Sequence, residues 1–372
     1  MTTALVAQLL DLACAIQQIP APTFAEGARA AFVRDQFAAL GLADVEIDDL
    51  GNVFARRPGQ GRAAPVLLTA HTDTVFPAGT PLTLVREADR IAGPSIGDNS
   101  LGVAGLFGVL WALAGGALPG DLHLVANVGE EGLGDLRGMR RVIDRLGGVV
   151  QATVVLEGMA LGHIYHSAIG VRRLRIATHT EGGHSWLHFG RASAIHALVR
   201  LGAEIVDLSV PAAPRTTFNI GTITGGTSIN TIAREASFDL DLRSESPAAL
   251  AALAARVEAL VAGSNAGDVQ VEAKVIGDRP AGAIPREHPL VQAAARALEA
   301  AGVTGYTYET GSTDANVPLS RGLACVCVGL TRGGNSHRPD EYIDTRDVER
   351  GLDAVTRVVR GAFATAPIGT RT

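Results

Sequence analysis

The stretch "LHLVANVGEEGLGD", Leu122 to Asp135, is an apolar run with one histidine and one asparagine that ends in two adjacent carboxylates, Glu130 and Glu131. A short apolar run closed by glycine reads as a buried strand. Neighbouring like charges repel, so each acid must stay solvated or find a cation. A buried strand with acids at its end suits a sheet covered on both faces, where ligand sites gather beyond the carboxyl ends of the strands.

Working outward, the same grammar recurs. "VLLTA" (66–70), "ATVVLE" (152–157) and "ACVCVGL" (324–330) are further compact apolar strands, with weaker ones at "VEIDD", "NVFARR" and "YTYE". Helical patterns separate them at 25–41, from Leu101 to about Ala114, in "LRGMRRVIDRL", near 287–302 and at about 345–365. Strands alternating with helices predict a parallel or mixed sheet. From about Gly170 the order is different: "VRRLRIATHT" alternates like a half-exposed strand, and a helix, an antiparallel pair, a second helix and "VQVEAKVIG" follow. That βαββαβ order over 171–277 is a ferredoxin-like split unit. The expected architecture is an α/β, mixed-sheet domain made of residues 1–169 and 280–372, with residues 170–279 inserted between its halves.

A chain of 372 residues exceeds one ordinary domain, and 47% hydrophobic with 19% charged residues gives enough apolar surface for sizeable cores. The net charge of −6 argues against a nucleic-acid or acidic-membrane surface. No stretch reaches the ~18 apolar residues of a membrane span. The N-terminal "MTTALVAQLLDLACAIQQIPAPT" lacks a basic start and is interrupted by Asp11, so it reads as an amphipathic helix; a cytoplasmic location is expected. Cys325 and Cys327, two apart on one strand face, read as core packing.

Polar residues follow the apolar strands in turn. His71 and Asp73 follow "VLLTA", Glu130 and Glu131 follow "LHLVANVG", Glu157 ends "ATVVLE", and His337 lies in the loop after "ACVCVGL". Asp98, in "GPSIGDNSLGVAG", stands just before a helix. Each alone has a plainer reading: a strand-end cap, a solvated acidic turn, an N-cap at Asp98. Their joint placement on one rim is hard to explain by separate structural roles. Mixed His and carboxylate ligands suit zinc or a similar ion, and two ions ~3.5–4 Å apart can share one carboxylate. Five ligands are at hand: His71, Asp98, Glu131, Glu157 and His337. The spare acids then find work, one moving a proton beside the metals and one fixing the His71 ring.

On these residues the sequence resembles the dinuclear zinc exopeptidase family of peptidase T, glutamate carboxypeptidase, aminoacylase and succinyl-diaminopimelate desuccinylase. The matching stretches are "LLTAHTDTVFP", "GPSIGDNSLGVAG", "NVGEEGLGDLRG", "VVLEG", "GGHSW", "NTIAREASFDLDLRS", "TGSTDAN" and "GGNSHRPDEYI", covering nearly the whole chain in order. The resemblance implies that the inserted βαββαβ unit is a lid or dimerisation domain. It implies one metal on His71, Asp98 and Glu157 and another on Asp98, Glu131 and His337, with Asp98 bridging and two divalent ions, zinc foremost and cobalt or manganese as alternatives. It implies Glu130 as general base and acid, Asp73 as the carboxylate orienting His71, and a cis peptide at Asp98–Asn99. His184 matches a histidine that reaches a partner subunit's site and stabilises an oxyanion, which implies a homodimer through the inserted unit. Asn230 and Arg243 match substrate-engaging residues, though Arg243 also suits a strand-face ion pair and Asn230 a turn. Gly311 and Ser312 would line the floor, with Asp314 structural.

The activity so implied is hydrolysis of an amide bond near a free terminus of a small peptide, of di-/tripeptidase or carboxypeptidase type. An N-acyl amino acid deacylase or desuccinylase is the alternative, although those relatives commonly place a lysine two residues after the bridging Asp, where this chain has Ser100. "GPSIG" (93–97) also satisfies the G-x-S-x-G pattern of a serine hydrolase, but Ser95 follows "VREADRIA" and Pro94 rather than a strong strand.

Overall fold

The computed structural model describes residues 2–365 and divides the chain into two compact units. One consists of the chain up to Ala168 together with the chain from Ala283 onward; the other is Ile169–Gly282.

In the first unit four strands lie side by side and parallel, in the order Leu122–Asn127, Val66–His71, Ala152–Glu157 and Cys325–Gly329. They read as continuous apolar runs because helices cover them: Gly102–Leu113 and Val348–Ala362 pack on Val66–His71, whose Val66, Leu67 and Leu68 are fully buried. Antiparallel strands Val53–Arg57 and Ala43–Ile47 extend one edge. On the other side His163–Ala168 pairs antiparallel with Cys325–Gly329 and parallel with Thr307–Gly311, completing a mixed sheet. His163–Ala168, "HIYHSA", escaped the sequence reading because its polar residues hide the strand period. Cys14, Cys325 and Cys327 are free and buried, as core residues.

The helical run Ile96–Leu113 corrects one expectation. It is long and apolar enough on length and composition to cross a membrane, yet 83% of it is buried inside the fold, as in a core helix. Asp98 and the break at Asn99 disguise its length in the sequence.

The second unit is a four-stranded antiparallel sheet in the order Thr216–Gly225, Glu235–Ser244, Gly170–His179, Gln270–Arg279. Leu174, Ile176, Phe238 and Leu240 alternate onto one face and form a core with Leu198, Leu201 and Ile205 of helix Ala194–Val206 and Leu253 and Val257 of helix Pro247–Gly263. The latter helix starts where Ser246 Oγ accepts the Ala249 N–H and Pro247 opens the first turn. Arg173, Arg175, Asp239 and Asp241, on the alternate positions of the same strands, form ion pairs on the other face.

Candidate functional site

The four parallel strands of the first unit bring their carboxyl ends to one rim. His71 and Glu157 are the last residues of their strands. Glu130 and Glu131 follow Leu122–Asn127 through Gly129, whose φ of 67° turns the chain in the left-handed region that favours glycine. His337 lies in the loop after Cys325–Gly329, itself at φ 65°. Asp98 sits in a wide helical turn, Ile96–Leu101, and the Asp98–Asn99 peptide is cis.

These five side chains converge. His71 Nε2 is 3.2 Å from Asp98 Oδ1 and 3.6 Å from Glu157 Oε2. His337 Nε2 is 3.2 Å from Asp98 Oδ2 and 3.4 Å from Glu131 Oε1. Asp98 therefore turns one oxygen to each histidine, as a bridging carboxylate does, and its carboxylate is not spent as an N-cap. His71, Asp98 and Glu157 can bring one ligand atom each within 4.8 Å of one another, and so can Asp98, Glu131 and His337. His71, Glu130 and Glu131 form a third such group, which places the Glu130 carboxylate beside the others.

The cluster's electrostatics ask for positive charge. Burial pulls the His71 imidazole down, but Glu157, Asp73 and Asp98 outweigh it and hold it well above its ordinary value. Asp98 and Glu131 raise His337 to about 10, and burial pushes the Glu157 carboxyl up to about 7 against the pull of His71. Protons here do what a cation does, neutralising carboxylates crowded out of water. Buried His71 Nε2 makes no hydrogen bond and faces Asp98 and Glu157, so the nitrogen that could bind an ion in place of a proton is aimed into the cluster. Two divalent ions sharing Asp98 fit this donor set.

A network beneath fixes these side chains. Asp73 accepts the backbone N–H of Glu130 and of Glu131, both at 2.9 Å, and the Thr23 hydroxyl at 2.9 Å. Its carboxylate is 3.5 Å from His71 Nδ1, closer contact coming from the Asp73 carbonyl at 3.2 Å. Burial pushes the Asp73 carboxyl up, yet His71 and these N–H groups prevail and hold it below the usual range. One residue thus braces His71 and the acid pair together.

Sequence reasoning missed three supports. The Asn99 amide brackets Glu157, donating to Leu156 O at 2.8 Å and accepting the Gly158 N–H at 3.0 Å. Arg29, buried to 1% exposure, donates to Ile19 O and to Thr72 O, and burial lowers its guanidinium to about 10. Glu341 accepts the N–H groups of Gly97 and Asp98. Asn99 and Glu341 stand within motifs already singled out, and only their partners, distant in sequence, reveal their work.

The remaining candidates divide. Ser95 Oγ is buried and makes no hydrogen bond, so no base is placed to activate it. Asp314 is buried and accepts from Asn127 Nδ2 at 2.7 Å, while Asn127 Oδ1 accepts the Thr69 hydroxyl at 2.6 Å. Gly311 and Ser312 are half-buried at the end of Thr307–Gly311, outside the clusters above; a Cβ on Gly311 would stand 2.7 Å from the Tyr165 ring. In the second unit His184 pairs with Thr231, and the Ser185 N–H donates to Asn230 O, so His184 and Asn230 share one corner. His184 Nδ1 accepts the N–H of Trp186 at 3.2 Å, which leaves Nε2 to carry the proton of the neutral ring. Arg243 is not in that corner. It lies at the far end of Glu235–Ser244, roughly 26 Å from Glu235 at ~3.3 Å per residue, and its Nε is paired with Asp241 at 2.6 Å.

The model of peptidase family M20/M25/M40 matches residues 67–361. A peptidase M20 domain-containing protein of Schizosaccharomyces pombe is 32% identical over 201 residues, 52% of this chain and 48% of that protein, so the match spans about half the length of that relative. A provisionally named succinyl-diaminopimelate desuccinylase of Mycobacterium tuberculosis is 28% identical over 368 residues, covering 95% of this chain and 98% of that protein. A tripeptidase structure from Staphylococcus aureus superposes with a TM-score of 0.81 at 21% identity, covering 96% of this chain and 99% of that one, and at that identity the likeness speaks for the fold alone. With the family model matched over most of its length and a shared-carboxylate cluster on its sheet rim, the chain belongs to peptidase family M20/M25/M40, a family of dinuclear metal hydrolases.

Proposed function

We propose that this protein is an exopeptidase that hydrolyses an amide bond near a free terminus of small peptides, using two divalent ions, zinc foremost. The observation that carries the reading is Asp98, with its two oxygens each 3.2 Å from a different histidine. When bound, the ions act as Lewis acids that polarise the scissile carbonyl and acidify water toward a pKa of ~7. His71, Asp98 and Glu157 would hold one ion; Asp98, Glu131 and His337 would hold the other. Glu130 takes the proton of the water that attacks the carbonyl carbon and returns it to the amine nitrogen as the C–N bond breaks. Asp73 keeps the His71 ring and the backbone of Glu130 in register. The His184 Nε2–H donates to the carbonyl oxygen as charge develops there, a contribution worth ~10²–10³-fold in rate for one such donor.

We further read the protein as a cytoplasmic homodimer assembled through its second unit. The separation between the His184–Asn230 corner and Arg243 supports this, because one copy of the unit cannot bring both ends of a ten-residue strand to one small substrate. Arg243 pairs with the substrate's terminal carboxylate, and His184 and Asn230 come from the other copy. A second reading, N-acyl amino acid deacylation, draws support from the full-length likeness to the mycobacterial desuccinylase.

The test is a screen of metal-depleted and metal-reconstituted enzyme over dipeptides, tripeptides and N-acyl amino acids. Zinc, cobalt or manganese should restore turnover that a strong chelator removes. Full activity in the metal-free enzyme would sink the proposal, and turnover confined to N-acyl amino acids would select the second reading.

A further inference from the structure

Glu341 is a carboxylate with no contact to water and an unusual set of partners. Its Oε1 accepts two backbone N–H groups, from Gly97 and Asp98, each at 2.8 Å. Its own backbone carbonyl accepts the Gly93 N–H at 2.8 Å, and its N–H donates to Arg338 O at 3.0 Å. Its other oxygen, Oε2, is buried and makes no hydrogen bond. The next residue, Tyr342, pairs with Ala92 across a short sheet, so residues 90–93 run along 341–344.

Two proposed ligands that are far apart in sequence therefore lie on segments that this one residue ties together. Asp98 lies in a wide turn with non-helical φ and ψ of −109° and 88°, and His337 holds the left-handed φ of 65°. The Asp98 turn leaves the helical backbone conformation, and the left-handed backbone of His337 is uncommon for a residue other than glycine, so both segments gain from contacts that hold them. The Glu341 side chain holds the Asp98 turn, while its backbone N–H, donated to Arg338 O, closes the turn that follows His337.

We propose that Glu341 is a positioning residue that clamps the Asp98 turn to the His337 loop and so sets the affinity of the ion shared by Asp98, Glu131 and His337. This rests on the dinuclear reading above, but its test reads metal binding directly. Metal-free wild type and variants are titrated with cobalt(II) against a chromophoric chelator, following both affinities and the visible cobalt spectrum; His337→Ala identifies which ion is affected. Glu341→Gln retains an oxygen acceptor and should bind both ions within about threefold of wild type. Glu341→Ala removes the acceptor, and Glu341→Asp keeps the charge but withdraws it by one methylene. Both should weaken the His337 ion by about 10–100-fold, change its spectrum, and leave the other ion's affinity much less altered. Folded Ala and Asp variants with wild-type affinities and spectra would overturn the clamp, and so would a Gln variant as weak as Ala. Loss of folding in Ala and Asp with unaltered binding in Gln would reduce Glu341 to a scaffold residue and overturn it too. A wild-type protein that binds no cobalt overturns the dinuclear reading itself, a result distinct from these.

Discussion

Glu130 and Glu131 are neighbours in sequence with different company. Glu131 Oε1 faces His337 at 3.4 Å, whereas Glu130 groups with His71 and Glu131 and stays outside the two sets that share Asp98. Their repulsion is offset from two sides, by Asp73 holding both backbones and by the positive charge the cluster demands. Replacing Glu130 with Gln keeps size and most hydrogen bonding while removing the proposed base. Turnover should fall ~10²–10⁴-fold with two ions still bound, measured by kcat together with metal analysis; a near-normal kcat would take Glu130 out of the mechanism. At this scale the sequence was legible wherever a polar residue ends an apolar strand, as at His71 and Glu157. It was silent on Arg29, Asn99 and Glu341, because a helix arginine, a turn asparagine and a loop glutamate look alike whether solvated or buried against a distant carbonyl or N–H.

Parallel strands decide the site's location at the level of elements. Ala152–Glu157 carries Glu157 to the rim and then passes so close to the Asp98 turn that a Cβ on Gly158 would stand 2.2 Å from Gly97 O. Only glycine fits between two backbones at that approach. Gly158→Ala should therefore lower stability by ~1–3 kcal/mol, read as a lowered Tm, and should cost activity well beyond that loss, because the backbone that yields carries Asp98. A misplacement near 1 Å costs ~10²-fold in rate; a variant with unchanged Tm and kcat would show that the approach is looser than the geometry says. The apolar strands and the βαββαβ order could be read from residue patterns, since a buried strand must be continuously apolar and a half-exposed one must alternate. His163–Ala168 could not, because its histidines and serine break the apolar period while its strand partners lie far off in sequence.

For the whole molecule, the second unit sets the remaining question. If His184 serves the other copy's site, inactive His184→Ala and inactive Glu130→Gln proteins should regain activity when mixed, because some exchanged dimers contain one site with both residues intact. Mixing after brief dissociation, with dipeptide turnover as the readout, should recover up to about a quarter of wild-type activity in a random one-to-one exchange, where half the dimers are mixed and half their sites are intact. No recovery despite demonstrated exchange would confine His184 to its own copy or to a structural role. The sequence by itself determined the alternation of elements, the insertion of one unit into another and the five side chains that could serve as ligands, because hydrophobic period and residue chemistry are local properties of the chain. Only the tertiary structure decided that Asp98 faces both histidines, that Asp73 braces two acids, that Glu341 joins loops about 240 residues apart, and that Arg243 stands away from His184. Those are distances between segments, and a distance between segments is set by how the sheets pack and twist, which no single stretch of sequence contains.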